Sequence, residues 1–268
     1  MIRKGYSDGP FGQIHWRKLV PEGPISAPPL YCLHPGPFSG LAFTAIMPHL
    51  ARDRMVVAPD YPGYGGSDPF KEEPTIAEYA QAMLAVIHEQ SGSGTVDLLG
   101  FHTGNLVAVE MALIDPLKIG RLALVDIPAF DAETSAKHKS ASSKTFEITS
   151  ELECLEWPWK RGITNRIASQ TYDRSFEMFV EQLRPGKFMN KAFHAAFSYD
   201  VDSKLPAMTQ DSLILATQSG LLDATRRAAT LIADARLVER LDITRAVLDE
   251  AAEITAAEIL NFLNRTKT

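Results

Sequence analysis

The stretch Val96-Asp-Leu-Leu-Gly-Phe-His-Thr-Gly-Asn-Leu-Val-Ala-Val-Glu-Met-Ala112 constrains this chain more than any other. Val96 to Leu99 is a short apolar run that reads as a buried strand, and Asn105 to Leu113 is a run of good helix formers. Between them, Gly100-Phe-His-Thr-Gly104 is a turn with a glycine two residues on either side of its tip. Strand, sharp turn and helix predict an elbow whose tip residue is strained and projects over the positive end of the helix. The glycines fit, because flanking Cβ atoms would collide where strand and helix close up. In the G-x-S-x-G form of this turn the tip is serine. Here it is His102.

The rest of the chain supplies the frame for that elbow. Residues 1–20 read as a β-hairpin around the turn cluster Ser7-Asp-Gly-Pro10, with Ile14, Trp16 and Lys18 alternating against His15, Arg17 and Leu19. Leu30 to His34 is a third strand, stopped by Pro35-Gly-Pro37. Leu41 to Leu50 is apolar at helical spacing and predicts the first helix. Met55 to Ala58 is a buried strand followed by a glycine-rich loop, and Thr75 to Glu89 is a helix with Thr75 and Glu78 spaced as a capping box. Arg121 to Val125 is a strand ending at Asp126. Strand–helix alternation resumes with strands at 212–217 and 235–240 and helices at 223–233 and 255–267. Alternation of this kind predicts a mostly parallel sheet covered on both faces.

Between about 130 and 208 the alternation stops, and Ser, Lys, Thr, Phe and Trp rise with helical patches at 175–183 and 191–197. This segment reads as a helical insertion over the carboxyl end of the sheet, where such folds bind ligands. The expected division is an α/β core of residues 1–129 and 209–268 with a cap of residues 130–208. Trp157, Trp159, Phe176, Phe179 and Phe188 are expected to pack the cap and line an apolar pocket.

Whole-chain properties exclude several classes. A net charge of −6 argues against nucleic acid or an anionic membrane surface as partner. No stretch approaches the roughly 20 apolar residues of a membrane span, and polar Ser7-Asp-Gly-Pro10 interrupts the N-terminus before a signal peptide could form. Cys32 and Cys154 make neither a disulfide framework nor a metal site by spacing. The default is therefore a cytoplasmic protein without a cofactor or metal. Its expected partner is a small molecule, and a homodimer is compatible with the sequence.

Three motifs in order then resemble the α/β-hydrolase superfamily over nearly the whole chain. Leu33-His-Pro-Gly-Pro-Phe-Ser-Gly40 is similar to the loop after strand 3, and Val56 to Asp60 through Gly63-Tyr-Gly-Gly-Ser-Asp68 to the loop after strand 4. The turn at 100–104 is similar to the elbow after strand 5. The resemblance implies an α/β-hydrolase fold: a twisted, mostly parallel sheet of about eight strands flanked by helices, with a helical cap inserted after strand 6. It also shows where this chain departs from the family. The nucleophile position holds His102. The loop after strand 7 has no carboxylate before Asp223, which is expected to cap the next helix. The stretch after strand 8, Leu241 to Asp249, has no histidine and places Arg245 near that position. A Ser-His-Asp triad cannot be built.

The chemistry that remains centres on three strand ends. In the resembled fold strands 3, 5 and 6 lie side by side, roughly 4.8 Å apart, so His34, His102 and Asp126 should cluster. Asp126 is an alternative seat for the acid in the family, which makes a His102–Asp126 pair geometrically reasonable. The helix dipole disfavours imidazolium at the tip and keeps His102 available as base or nucleophile. The family's oxyanion donors map to the N–H groups of Gly36 and Thr103. Pro37, Phe101 and His194 are the expected substrate contacts. Each residue also has a structural reading: His102 as a plug bonded to backbone, Asp126 as a turn or capping residue, His34 as a buried structural histidine, His194 as cap packing. Thr103 as nucleophile and a His34–His102–Asp126 metal site are minor alternatives. Two functions follow. One is an enzyme on a small, largely apolar carbonyl compound, by ester, thioester or C–C bond hydrolysis or by lyase or isomerase chemistry. The other is a catalytically silent ligand-binding protein.

Overall fold

The computed structural model describes residues 1–71, 73–142, 146–167, 169–244 and 246–265. Eight strands form one sheet: β1 Arg3–Gly9, β2 Gly12–Leu19, β3 Leu30–Leu33, β4 Val56–Pro59, β5 Val96–Phe101, β6 Ile119–Val125, β7 Ser212–Thr217 and β8 Arg236–Arg240. Their spatial order is β1-β2-β4-β3-β5-β6-β7-β8. The β1–β2 and β2–β4 pairs are antiparallel and every later pair is parallel. The inner parallel strands are largely apolar because both of their faces are covered, whereas the edge strand β8, Arg236-Leu-Val-Glu-Arg240, is mostly exposed. Tyr31, Leu33, Leu98, Leu122, Leu124 and Ile214 belong to one buried cluster. Cys32, Leu99, Ala123, Val125, Leu213 and Leu215 belong to the cluster on the opposite face.

The helices are α1 Met47–Leu50, α2 Ile76–Ser91, α3 Thr103–Ile114, α4 Ala132–Ala141, α5 Glu153–Trp159, α6 Tyr172–Leu183, α7 Lys191–Phe197, α8 Val201–Lys204, α9 Leu222–Leu231 and α10 Ala252–Leu263. Thr75 and Glu78 make the expected capping box at the start of α2. The segment read as one helix over 41–50 divides instead into a 3-10 turn, Gly40–Phe43, and the short α1. Ser39 caps the turn through its side chain, and Pro48 at the start of α1 favours a fresh helix start there. Asp223 does not cap α9: the N-cap is Leu221, and Asp223 sits exposed in the first turn beside Arg226. The last helix begins three residues before the expected 255, and residues 266 and 267 of the expected span lie outside the described residues.

Helices α4 to α8 all fall between β6 and β7. Arg174 and Glu181 tie α6 to the rest of the fold. Arg174 donates to Asp249 at 2.9 Å and to the carbonyl of Leu41 at 3.3 Å. Buried Ser39 donates to buried Glu181. By contrast, Trp157, Trp159 and Phe176 are 64%, 44% and 52% exposed, so of the cap aromatics named from the sequence these three are not packed inside; Phe179 is, at 7%. Among the described residues, no helix is long and apolar enough to cross a membrane.

Candidate active site

The elbow is built by close approach of backbone. His102 lies between β5 and α3 with φ 50° and ψ −118°, a conformation that costs a residue with a Cβ on the order of 1–3 kcal/mol. The surroundings enforce it. A Cβ on Gly100 would lie 2.6 Å from the Cα of Asn105, and one on Gly104 would lie 1.9 Å from the carbonyl oxygen of Leu33. Asn105 completes the lock: its side chain donates to the Val125 carbonyl at 2.8 Å and accepts from the Val125 N–H at 3.0 Å. The N–H of His102 donates to the same carbonyl at 3.2 Å.

The His102 ring is half-buried and makes no side-chain hydrogen bond among the described residues. It lies against the Phe101 ring, 4.0 Å between centroids. Burial, and then the positive charge of Arg161, lower its pKa to about 4, so the imidazole is neutral at pH 7. Gly36 faces the first turn of α3, since a Cβ on it would lie 3.8 Å from Thr103 Oγ1 and 2.8 Å from the Cβ of Ala192 on α7. The N–H groups of Gly36 and Thr103 have no acceptor among the described residues. Proline on both sides of Gly36 makes its N–H the one backbone donor of Pro35-Gly-Pro37.

Two expected partners of His102 are engaged elsewhere. His34 is fully buried; its Nε2 accepts from the Tyr61 N–H at 2.9 Å, its Nδ1 lies 3.0 Å from the Pro35 carbonyl, and its ring stacks on Tyr61. With both ring nitrogens on main chain, His34 holds the loop after β4 against the loop after β3. Burial first, and Arg17 to a lesser degree, lower its pKa to about 4. The His102–Asp126 pair expected from neighbouring strand ends does not form. Asp126, itself at φ 49°, takes a hydrogen bond from the Thr217 N–H at 2.9 Å and another from the Thr217 hydroxyl at 2.6 Å. Both carboxylate oxygens are thereby spent on the end of β7. Burial raises the Asp126 pKa.

The remaining expected contacts divide. Pro37 is buried beside Gly36, and Phe101 packs on the His102 ring. His194 is turned away: its Nε2 lies 2.8 Å from the carbonyl of Ser142, and it lines a separate hollow with Glu110 and Lys204. Arg245 lies outside the described residues. Among the described residues no group of three or more His, Cys, Asp or Glu side chains is placed to hold a metal ion.

An apolar hollow lies among the inserted helices, lined by Leu152, Leu155, Trp159 and Phe179, and a second cleft carries two arginines. This second cleft encloses about 250 Å³ between α6, the segment before it and the loop after β8, and Phe38, Arg161, Arg166, Gln182 and Ala246 are among its walls. Sequence reasoning did not single out Arg161 or Arg166. They stand in the unpatterned insertion, and only the fold brings them to the sheet edge that carries His102.

Comparison with known proteins agrees with this architecture. The family model described as alpha/beta hydrolase fold matches residues 28–146. The 2-hydroxy-6-oxo-2,4-heptadienoate hydrolase of Pseudomonas putida is 27% identical over 184 residues, 66% of this chain; the match spans only 58% of that protein's length. A hydrolase from Pseudomonas aeruginosa superposes with TM-score 0.80 at 19% identity, covering 98% of this chain and 99% of that one. The enol-lactonase from Burkholderia xenovorans superposes with TM-score 0.74 at 18% identity, covering 97% and 100%. Matched segment, sheet order and structural neighbours converge: the chain has the α/β-hydrolase fold.

Proposed function

We propose that the protein is an enzyme that cleaves a small carbonyl compound by acyl transfer, with His102 as nucleophile at a nucleophile elbow. In this reading residues 1–129 and 209–268 form the catalytic core and residues 130–208 cap it. One observation carries the proposal: a neutral imidazole without a hydrogen-bond partner among the described residues sits at the strained tip, next to two N–H groups that have no acceptor among them.

The free imidazole nitrogen attacks the carbonyl carbon, forming the N–C bond while the C=O electron pair moves to oxygen. The N–H groups of Gly36 and Thr103 stabilise that oxyanion, a contribution of roughly 3 kcal/mol for a single donor. Collapse breaks the bond to the leaving group and leaves an acyl-imidazolium, whose other ring N–H passes its proton through water to the leaving group. A water then adds to the acyl-imidazole, and as the N–C bond breaks one of its protons returns to the ring, giving the acid and neutral His102. Neutrality matters because imidazolium has no lone pair to offer. The Pseudomonas putida relative, by its name a hydrolase of an oxo-acid, supports hydrolysis of a small carbonyl compound as the reaction class.

A second reading is favoured by a specific observation as well. Among the described residues no carboxylate and no second base hydrogen-bonds the His102 ring, as a ligand-binding protein without turnover would show. Wild type and His102→Ala assayed against p-nitrophenyl esters, thioesters and β-diketones decide between them. We expect kcat/KM of wild type to exceed that of His102→Ala by about 100-fold on at least one substrate. Binding of such compounds without turnover by wild type would establish the second reading.

A further inference from the structure

We propose that the cleft beside the elbow is a carboxylate subsite, in which Arg161 and Arg166 hold the anionic end of a small organic acid whose carbonyl is presented to His102. The inference rests on the site assignment made above and names the substrate class for it.

Position comes first. Phe38, on one wall, is two residues beyond Gly36, while Ala246 and Asp249 on another wall belong to the loop after β8. The cleft therefore spans the carboxyl edge of the sheet, where ligands of open α/β sheets bind. At about 250 Å³ it is below the usual range for drug-sized ligands and suits a short molecule.

Charge comes second. The neighbouring cations on α6 are all paired: Arg174 with Asp249 at 2.9 Å and Glu177 at 2.6 Å, and Arg184 with Glu181 at 3.2 Å. Arg161 and Arg166 have no carboxylate partner among the described residues. Arg161 lies over the Trp157 ring, 5.3 Å from its centroid. Arg166 stacks on Tyr172 at 3.4 Å and donates only through Nε, to the Gln170 carbonyl at 3.2 Å. Ring stacking holds a guanidinium flat and leaves its edge donors free, the geometry in which arginine takes a carboxylate with two parallel N–H bonds. The one carboxylate on the cleft wall, Asp249, is already spent on Arg174. The cleft thus carries two unopposed positive charges, and a neutral substrate would leave them so.

Reach comes third. The charge of Arg161 is felt at His102, where it helps to hold the imidazole neutral. On this reading an acid bound at Arg161 extends past Phe38, which shares the cleft wall and stands two residues from Gly36, and carries its carbonyl toward the elbow.

The test is calorimetric binding of 4-oxopentanoate and of its neutral amide to wild type, to R161Q/R166Q and to R161K/R166K. Wild type is expected to bind the acid about tenfold more tightly than the amide. R161Q/R166Q should lose that preference and R161K/R166K should keep most of it. Retention in the lysine pair shows that a loss in the glutamine pair is a loss of charge and not of fold. Equal binding of acid and amide by wild type, absence of binding, or an undiminished preference in R161Q/R166Q would each overturn the subsite. Catalysis is read separately. Acid preference without turnover of any ester by wild type defeats the proposed activity and leaves the subsite standing; hydrolysis of neutral esters without acid preference does the reverse.

Discussion

The ends of β3 and β5 and the ends of β7 and β8 share one edge of one sheet, yet they are held in place by different means. At β3 and β5 the backbone does the holding. Gly104 lies against the Leu33 carbonyl, Gly100 against Asn105, and His34 is bonded through both ring nitrogens to main chain. At β7 and β8 side chains do it: Thr217 grips Asp126, and Asp249 in the loop beyond β8 grips Arg174 of α6. The first end is thus fixed by main-chain contacts and the second by side-chain pairs. A polar side chain can be drafted into a local hydrogen bond by one substitution nearby, whereas a backbone contact with no room for a methyl group resists replacement.

The sharpest way to break this comparison is one substitution made at both ends. Gly104→Ala puts a Cβ into the Leu33 carbonyl and should cost about 3 kcal/mol or more of unfolding free energy. Gly220→Ala, in the loop after β7, meets nothing within 4 Å and should stay within about 0.5 kcal/mol of wild type in the same urea titration. Equal effects would mean that the two ends are built alike.

Acid should act on the first end next. His34 is fully buried, accepts the Tyr61 N–H and is lowered to about 4, so it is neutral when folded while the unfolded residue titrates near 6.5. The unfolded chain therefore binds the extra proton first. This contribution is complete above about pH 6.5 and is lost as pH falls from there towards 4, amounting to roughly 2 kcal/mol between pH 7 and pH 5. Urea midpoints across that range should fall for wild type and fall less steeply for His34→Gln. Parallel slopes would show that His34 does not carry the effect.

The smallest effect sharpens the reading of the second end. Thr217→Val and Asp126→Asn should each cost about 1–2 kcal/mol, and the double variant less than their sum, because the two residues share one interaction. Neither should change kcat/KM of an active wild type by more than its loss of folded protein. A specific drop in turnover for Asp126→Asn alone would instead tie Asp126 to His102.

Much of the fold was legible because its signals are local. The run Val96 to Leu99, the glycines at 100 and 104 and the Thr75–Glu78 capping box each announce one element within a few residues. The tip at His102 was legible for the same reason, and so were Gly36 and Thr103 as neighbours of the elbow. What escaped depends on contacts between distant residues. The Thr217–Asp126 grip joins positions 91 apart in the chain. Arg161 and Arg166 stand out by meeting no carboxylate among the described residues, and no motif marks an arginine in that state. The neutral imidazole was expected from the helix dipole, but its low pKa comes from burial and Arg161.

The close contacts of Gly100 and Gly104 have one further consequence. They fix the path of the chain through residue 102 without using the side chain found there. The elbow is therefore a socket. One codon can exchange the group it displays, from hydroxyl to imidazole, while the surrounding wall keeps its shape. A lineage could cross from one reaction to another through that position without first dismantling the scaffold.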